Sequence, residues 1–291
     1  EERKPLMVEQ LYHTPDIYRI YVPLPDNPLK YLNCYVLVSD GETLIIDTGF
    51  NRPECKQALF DGLDELQVDF AHTKLFLTHL HGDHSGLTEE LTARGVPVFM
   101  NAIDYDYLCQ ELASGGWQAM EQIFLSEGFP MEEIEKQKKG NQARLYSPHH
   151  PFPASKVSDN DLLTVGGITL RCIHTPGHTP GHTCLYIEDK EILFSGDHIL
   201  FDITPNISVW RNIPYSLTDY LESLQKIKGL KVSHTFPGHR EFHGDIHDRI
   251  NALTLHHHAR LKEILDAIDH HPDCTAYETA GRISWSSRGR A

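Results

Sequence analysis

The feature that most constrains this chain is the stretch Thr-His-Leu-His-Gly-Asp-His at residues 78–84. Side chains two residues apart on an extended segment point the same way, so His79 and His81 can approach one ion together. Asp83 and His84 follow a glycine and can turn toward a second point. We therefore interpret the stretch as a template for a metal site with two centres. The alternative is a polar loop whose histidines are close only by chance.

The chain on either side of this stretch predicts a rigid support for it. Residues 74–77 are typical of a short buried strand, and residues 85–94 predict a helix that Gly95 stops. The histidines would then lie on a loop between a strand and a helix, where rigid scaffolds commonly carry chemistry.

Three later segments repeat the arrangement of a short apolar run followed by a glycine-containing turn. These segments end in His178, Asp197 and His239. If each apolar run is a strand, the three side chains project from the same end of the sheets as residues 78–84. Metal sites are assembled in this way, from the ends of separate strands.

The pattern of the N-terminal half predicts an α/β protein. Strand patterns cover residues 17–22, 33–38, 43–46 and 96–100, and an amphipathic helix pattern covers residues 53–66. Strands that alternate with helices indicate an α/β core.

Asp47 closes the third of these strand patterns and has two interpretations. It is either a turn residue that binds its own backbone or a residue that supports the metal ligands from behind. The sequence alone leaves both open.

Residues 101–145 change character, because they show helix periodicity without a strand pattern. We interpret them as a helical insertion. Such an insertion commonly forms a lid over the strand ends, and residues 147–153, rich in proline and histidine, would line the same opening. The alternative is a helical bundle that packs at the sheet edge without touching a substrate.

The C-terminal residues 245–291 also predict helices, with a boundary near Asp245. The histidine run at 256–258 suggests a metal site at first sight. However, consecutive helical residues point about 100° apart and cannot share one ion, so we assign this run to a helix away from the site.

Composition narrows the classes of protein that fit. The formal net charge of −15 disfavours broad nucleic-acid binding without excluding a local basic site. No apolar run approaches the roughly 18 residues that a membrane span needs. Residues 1–5 contain no apolar region of an export signal, so we expect the cytoplasm. The six cysteines lie singly and predict no structural disulfide.

Four motifs, HxHxDH, TPGHTPGH, SGDH and PGH, follow one another along the chain. In this order they resemble the metallo-β-lactamase-fold hydrolase superfamily, over about residues 17–240. The resemblance implies an αββα sandwich, with residues 1–244 as the catalytic domain and residues 101–145 as its helical insertion.

The resemblance also implies which donors hold each ion. Three histidines would bind the first ion: His79, His81 and His178. A carboxylate and two histidines would bind the second: Asp83, His84 and His239. Asp197 would bridge the two ions, and we count Asp83 and Asp197 as catalytic. His182, the second histidine of TPGHTPGH, would support the site from outside.

The turn after Asp197 indicates which group of the superfamily the chain resembles. Glyoxalase II and persulfide dioxygenases carry a Gly-Cys-Gly-Arg-like turn there, whereas residues 198–201 are His-Ile-Leu-Phe. Lactonases that cleave homoserine lactones carry a tyrosine where this chain has Leu200. The chain is most similar to β-lactamase-like hydrolases with a small C-terminal winged-helix-like domain, of which residues 245–291 would form part.

These features predict a hydrolase of a small ester, thioester or lactone that uses hydroxide generated by two divalent ions. Nitrogen and oxygen ligands suit Zn, which we expect first, and also Fe or Mn. One alternative is an endoribonuclease that cleaves RNA phosphodiesters, and another is a redox enzyme with a single iron. A protein in which the metals only hold loops together is a further alternative. The expected partner is a small-molecule substrate, without a membrane, and the oligomeric state stays open.

Overall fold

The first of two stacked β-sheets runs through the N-terminal half of the chain. The computed structural model describes residues 7–114 and 117–285. Within them the seven strands of this sheet follow chain order: β1 (Val8–His13), β2 (Asp16–Pro23), β3 (Tyr31–Ser39), β4 (Glu42–Ile46), β5 (Thr73–Leu77), β6 (Val98–Asn101) and β7 (Ser155–Val157). Strands β1 to β4 are antiparallel, and β4 to β7 are parallel. The parallel strands share one carboxyl end, where loops can meet.

The second sheet has the order β12-β11-β10-β9-β8. Its strands are β8 (Leu162–Val165), β9 (Ile168–His174), β10 (Thr183–Ile187), β11 (Ile192–Gly196) and β12 (His234–Pro237). Helix α8 (Ser216–Lys228) lies between β11 and β12 in the chain and allows these two strands to pair in parallel. Their carboxyl ends therefore lie side by side.

The remaining helices precede or follow α8. They are α1 (Pro53–Glu65), α2 (Gly82–Ser85), α3 (Thr88–Thr92), α4 (Ala102–Ser114), α5 (Trp117–Ser126), α6 (Met131–Gly140), α7 (Gln142–Leu145), α9 (Ile246–His270) and α10 (Ala276–Ala280). No helix in the described ranges is both long and apolar enough to span a membrane.

The core confirms the αββα sandwich. One cluster fills the space between the sheets and includes Phe76 of the first sheet and Phe194 and Phe236 of the second. A second cluster packs α1 on the outer face of the first sheet, and a third packs α8 and the start of α9 on the outer face of the second. Full burial of one such side chain contributes roughly 1.5–3 kcal/mol.

The helix predicted for residues 85–94 is wrong in detail, because α2 ends at Ser85 and a separate short helix, α3, covers Thr88–Thr92. The backbone N–H of Leu87 donates to Thr48 Oγ1 at 3.1 Å instead of continuing a helix. Gly86 also packs closely, since a Cβ there would lie 2.5 Å from the backbone nitrogen of Asn51. The chain therefore breaks between the two helices.

Two strands lack a sequence prediction. All of β1 precedes the first strand pattern at 17–22, and β7 has only Val157 buried among its three residues. The predicted strands at 17–22, 33–38, 43–46 and 96–100 correspond to β2, β3, β4 and β6. All six cysteines lie within the described residues and are unpaired.

Helices occupy both regions that showed helix periodicity. The described part of residues 101–145 contains α4 to α7, and that of residues 245–291 contains α9 and α10, with no strand between 245 and 285. Asp245 begins α9, because its side chain accepts from the backbone N–H of His247 at 2.7 Å. The ends of the chain, residues 1–6 and 286–291, lie outside the described residues, as do the export-signal prediction at 1–5 and the end of the C-terminal region. The division into domains stays a prediction.

Candidate metal centre

All seven predicted site residues meet at the carboxyl ends of the strands. The first stretch follows β5 and enters α2, and the other segments follow β9, β11 and β12. All of these side chains are buried except His81, which is half-buried. The residues that meet are His79, His81, Asp83, His84, His178, Asp197 and His239. Whether each binds a metal stays a prediction.

One group of donors consists of three histidine nitrogens, from His79, His81 and His178, all within 4.8 Å of one another. His79 Nε2 lies 3.1 Å from His81 Nδ1. The i and i+2 spacing on an extended segment brings these two rings together, as the sequence predicted. His178 arrives from the loop between β9 and β10.

A second group combines a carboxylate and two histidines, Asp83, His84 and His239. His84 Nε2 lies 3.2 Å from His239 Nε2, and Asp83 Oδ2 lies 3.3 Å from His239 Nε2. The first turn of α2 carries Asp83 and His84 past His79, whose ring lies 4.0 Å from that of His84. His79, His84 and Asp197 form a third group of donors within 4.8 Å of one another.

Asp197 lies between the two groups. Its Oδ2 is 3.6 Å from His178 Nε2 in the first group and 3.5 Å from His239 Nε2 in the second. Its Oδ1 is 3.5 Å from His84 Nε2. A single carboxylate therefore faces both groups.

Hydrogen bonds on the far side of the rings direct their lone pairs into the cluster. His178 Nδ1 donates to the carbonyl of Asn206 at 2.6 Å, and His239 Nδ1 donates to the carbonyl of Tyr31 at 2.8 Å. A ring nitrogen that faces a carbonyl must carry the proton, so Nε2 of each ring keeps its lone pair when the ring is neutral. Asp47 plays the same part for His84, where Nδ1 and Oδ2 are 2.7 Å apart.

Two buried atoms of the cluster lack a hydrogen-bond partner within the described residues, namely His178 Nε2 and Asp197 Oδ1. An unsatisfied acceptor in a protein interior is costly, and a lone pair directed at other lone pairs adds repulsion. A cation among these atoms would satisfy both. The donor set therefore fits metal binding, with nitrogen and oxygen ligands that suit Zn, Mn or Fe.

The electrostatic field of the cluster also favours a cation. Burial alone would lower the pKa of His84, but the carboxylates of Asp47, Asp197 and Asp83 hold it well above its ordinary value. Burial alone would raise the pKa of Asp197, but the rings of His239 and His84 hold it well below its ordinary value. Asp197 thus stays ionised beside the histidines, and its negative charge attracts a cation.

Asp47 contacts His84, a predicted metal ligand, and is more than a turn residue. In addition to its contact with His84, its carboxylate accepts from the backbone N–H and the hydroxyl of Thr78, both at 2.8 Å. The same Thr78 oxygen lies 3.0 Å from His79 Nδ1 and can accept its proton. Asp47 therefore orients one histidine from each group.

We expect Asp47→Asn to weaken metal binding by about 10- to 100-fold, the usual cost of losing a residue that orients a ligand. Competition with a chromophoric chelator measures the affinity. Asp40→Asn is the matched control, because Asp40 also has a positive φ but is exposed in the turn between β3 and β4. Equal affinities for the two variants would contradict the role of Asp47.

His182 lies behind Asp197 rather than among the donors. Its Nε2 accepts from the backbone N–H of Asp197 at 3.1 Å, and its Nδ1 lies 2.8 Å from Thr175 Oγ1. The run at residues 256–258 belongs to none of the donor groups found in the described part of the chain. Within it, His257 packs against the ring of Tyr220 at 5.3 Å.

The sequence did not point to Asn33, which holds the loop that carries His239. The Asn33 side chain donates to the carbonyls of Pro237 at 2.9 Å and Arg240 at 2.7 Å. Its backbone N–H donates to the carbonyl of Gly238 at 2.8 Å. An asparagine inside a strand pattern carries no local signal for this contact.

Aromatic rings border the cluster on the side of His81. The half-buried Trp210 stacks over the His81 ring, with centroids 5.9 Å apart, and its Nε1 donates to the carbonyl of His178 at 3.2 Å. Tyr107 of α4 meets the edge of Trp210 at 5.9 Å. The helical insertion thus contributes a ring that packs against Trp210, which in turn lies over His81.

A family model described as the metallo-beta-lactamase superfamily matches residues 28–239. The solved structure of a metallo-beta-lactamase family protein from Thermus thermophilus is 31% identical, has a TM-score of 0.79, and aligns over 91% of this chain and 86% of that one. A beta-lactamase domain protein from Burkholderia ambifaria shares the fold at 24% identity, with a TM-score of 0.74 over 90% of this chain and 80% of that one.

Two sequence relatives extend the comparison. A beta-lactamase-like protein 2 homolog from Caenorhabditis elegans is 25% identical over 88% of this chain and 71% of its own length. An atrochrysone carboxyl ACP thioesterase from Cryptosporiopsis sp. (strain 8999) is 26% identical over 90% of this chain and 65% of its own length. The chain therefore spans 65% to 71% of the length of these relatives.

Proposed function

Since the chain belongs to the metallo-beta-lactamase superfamily, we propose that this metallo-hydrolase uses two divalent ions to cleave a small ester, thioester or lactone. The observation that carries the proposal is the position of Asp197, whose oxygens lie 3.5–3.6 Å from histidine nitrogens of both donor groups. A carboxylate in that position suits two cations better than one.

The residues divide between the ions as their distances suggest. The first ion would take His79, His81 and His178, and the second would take Asp83, His84 and His239. Asp197 would contact both. Two such ions, which we expect to be Zn, would act as Lewis acids and lower the pKa of a water molecule toward about 7.

The chain's own residues would prepare the site for this chemistry. The carboxylates of Asp83 and Asp197 offset the positive charge that the ions bring, and Asp47 fixes the orientation of His84. Because the rings of His84, His178 and His239 are already held by Asp47 and by backbone carbonyls, little reorganisation of these ligands is needed when charge develops in the transition state.

The substrate class rests on the border of the site and on the relatives. The ring of Trp210 beside His81, with Tyr107 packed against it, can contact the apolar part of an acyl group. A relative named as an ACP thioesterase supports a thioester as the first substrate to test. We also propose that the chain is related to hydrolases that carry a C-terminal winged-helix-like domain. Helices α9 and α10 would form part of that domain.

A panel of substrates tests the proposal directly. The purified protein is assayed for metal content and then supplied with p-nitrophenyl esters, acyl-coenzyme A thioesters, acyl homoserine lactones and a fluorogenic oligoribonucleotide. We expect hydrolysis of at least one carbonyl substrate, loss of that activity with a chelator, and recovery on addition of Zn²⁺. Cleavage of the oligoribonucleotide alone, or a single iron with oxygen consumption, would contradict the proposal.

A further inference from the structure

The helical insertion sends a buried carboxylate into the space between two of the loops that carry the site. Asp104 lies in the first turn of α4, and none of its surface is exposed to solvent. Its Oδ2 accepts from the backbone N–H of Leu80 at 3.0 Å and from Thr179 Oγ1 at 2.6 Å. Its Oδ1 accepts from the backbone N–H of Gly181.

The groups that donate to Asp104 lie next to the predicted metal ligands in the sequence. Leu80 lies between His79 and His81, and Thr179 directly follows His178. Asp104 therefore joins the two segments that supply all the donors of the first group. These segments come from different sheets, and the backbone hydrogen bond from the N–H of Thr183 to the carbonyl of Thr78 at 2.9 Å is a second contact between the regions around them.

We propose that Asp104 is a positioning residue that holds the His79–His81 segment and the His178 segment at the separation that metal binding requires. The inference rests on the metal-binding part of the proposed function. It also assigns a role to the insertion, whose first helix anchors the site from behind.

A role in capping the helix does not account for Asp104. Aspartate is favoured in the first turn of helices, where it can accept from free backbone N–H groups. Here the side chain of Asn101 accepts from the N–H of Ile103 at 2.9 Å, and the Asp104 carboxylate is directed to the two loops. Burial raises the pKa of Asp104 to about 7, although its three hydrogen bonds lower it. A carboxylate that only capped the helix could stay exposed to solvent and would avoid the cost of burying its charge.

The backbone around Asp104 shows the same close fit. A Cβ on Gly181 would lie 2.5 Å from the Asp104 backbone nitrogen, so the start of α4 and the loop after His178 touch directly. A side chain at position 181 would therefore push that loop away from the start of α4.

Asp104→Asn tests the inference with little change in size. The NH₂ of the new amide group would face one of the N–H groups from which the carboxylate now accepts a hydrogen bond. That hydrogen bond would become a repulsive contact between two donors. We expect metal affinity to fall by about 10- to 100-fold, measured by chelator competition at pH 8. We also expect the d–d absorption of the Co²⁺-loaded protein to change, because the geometry of its histidine ligands changes.

Asp106→Asn is the matched control. Asp106 lies on the same helix, but its side chain is 54% exposed and pairs with Lys156. This variant should bind metal and absorb light like the parent protein. Parent-like affinity and an unchanged Co²⁺ spectrum in Asp104→Asn would overturn the inference.

A second variant keeps the test decisive if Asp104→Asn does not fold without metal. Thr179→Val removes only the 2.6 Å hydrogen bond and preserves shape, and we expect it to weaken metal binding several-fold with the same direction of spectral change. No change in Thr179→Val would then count against the inference. Because these readouts need no substrate, they are independent of the substrate panel. If the parent protein hydrolyses nothing in that panel, the substrate proposal fails while the metal measurements still decide the role of Asp104.

Discussion

His178→Ala is expected to lose both metal and hydrolysis. The variant removes a donor nitrogen that lies 3.6 Å from Asp197 Oδ2 and leaves His79 and His81 as the only histidines of the first group. With Asp197, three ligands would remain of four, and three bind an ion far more weakly, so metal content should drop by about one ion per chain. We expect kcat/KM to fall by more than the roughly 100-fold that loss of an orienting residue can cost.

Elemental analysis of the purified variant measures the first effect, and kinetics with the best substrate of the panel measure the second. His79→Ala should behave in the same way. His257→Ala is the control, because this buried histidine packs on Tyr220 and belongs to neither donor group. Parent-like metal content in His178→Ala, or loss of an ion in His257→Ala, would show that the assignment of ligands is wrong.

Asp197→Asn is expected to separate the two-ion hypothesis from the single-iron hypothesis. The substitution keeps the shape of the side chain but removes a negative charge that faces both donor groups. Two cations at the 3.5–4 Å separation typical of such sites repel each other strongly, so the more weakly held ion should leave. We expect about two ions per chain in the parent protein and fewer in the variant.

The pH dependence of the remaining activity provides a second readout. With less positive charge near it, the attacking water has a higher pKa, so the rising limb of the pH–rate profile should move to higher pH. Asp202→Asn is the control, because Asp202 lies further along the loop after β11, outside both donor groups, and contacts the exposed His243 at 3.4 Å. A parent protein that binds one iron, consumes oxygen, and tolerates His84→Ala and His239→Ala would overturn the two-ion proposal.

Most of the site could be predicted from the sequence because its residues follow strands with a strong local signal. Each apolar run before His79, His178, Asp197 and His239 is short and bounded by glycine, so its end is easy to locate. Once the strand ends are known, the parallel pairing of β4 with β5 and of β11 with β12 brings them together.

The supporting residues could not be predicted, because their contacts are tertiary. Asp104 lies in a helix and Asn33 in a strand, and neither interrupts the local pattern. Asp47 left two interpretations open, and only its 2.7 Å contact with His84 decides between them. The break between α2 and α3 likewise depends on Thr48, which lies far away in the chain.

The meeting of loops from both sheets has a consequence for the stability of the chain. An ion that joins His79 to His178 would close about 100 residues of chain into one covalent-like loop and tie the two sheets together at one edge. An ion that binds only the folded chain stabilises it by about 4.1 kcal/mol when its free concentration is 1,000 times its Kd. The same ions would then act as cross-links of the sandwich, and a cell that restricts metal would limit the lifetime of the fold together with its chemistry.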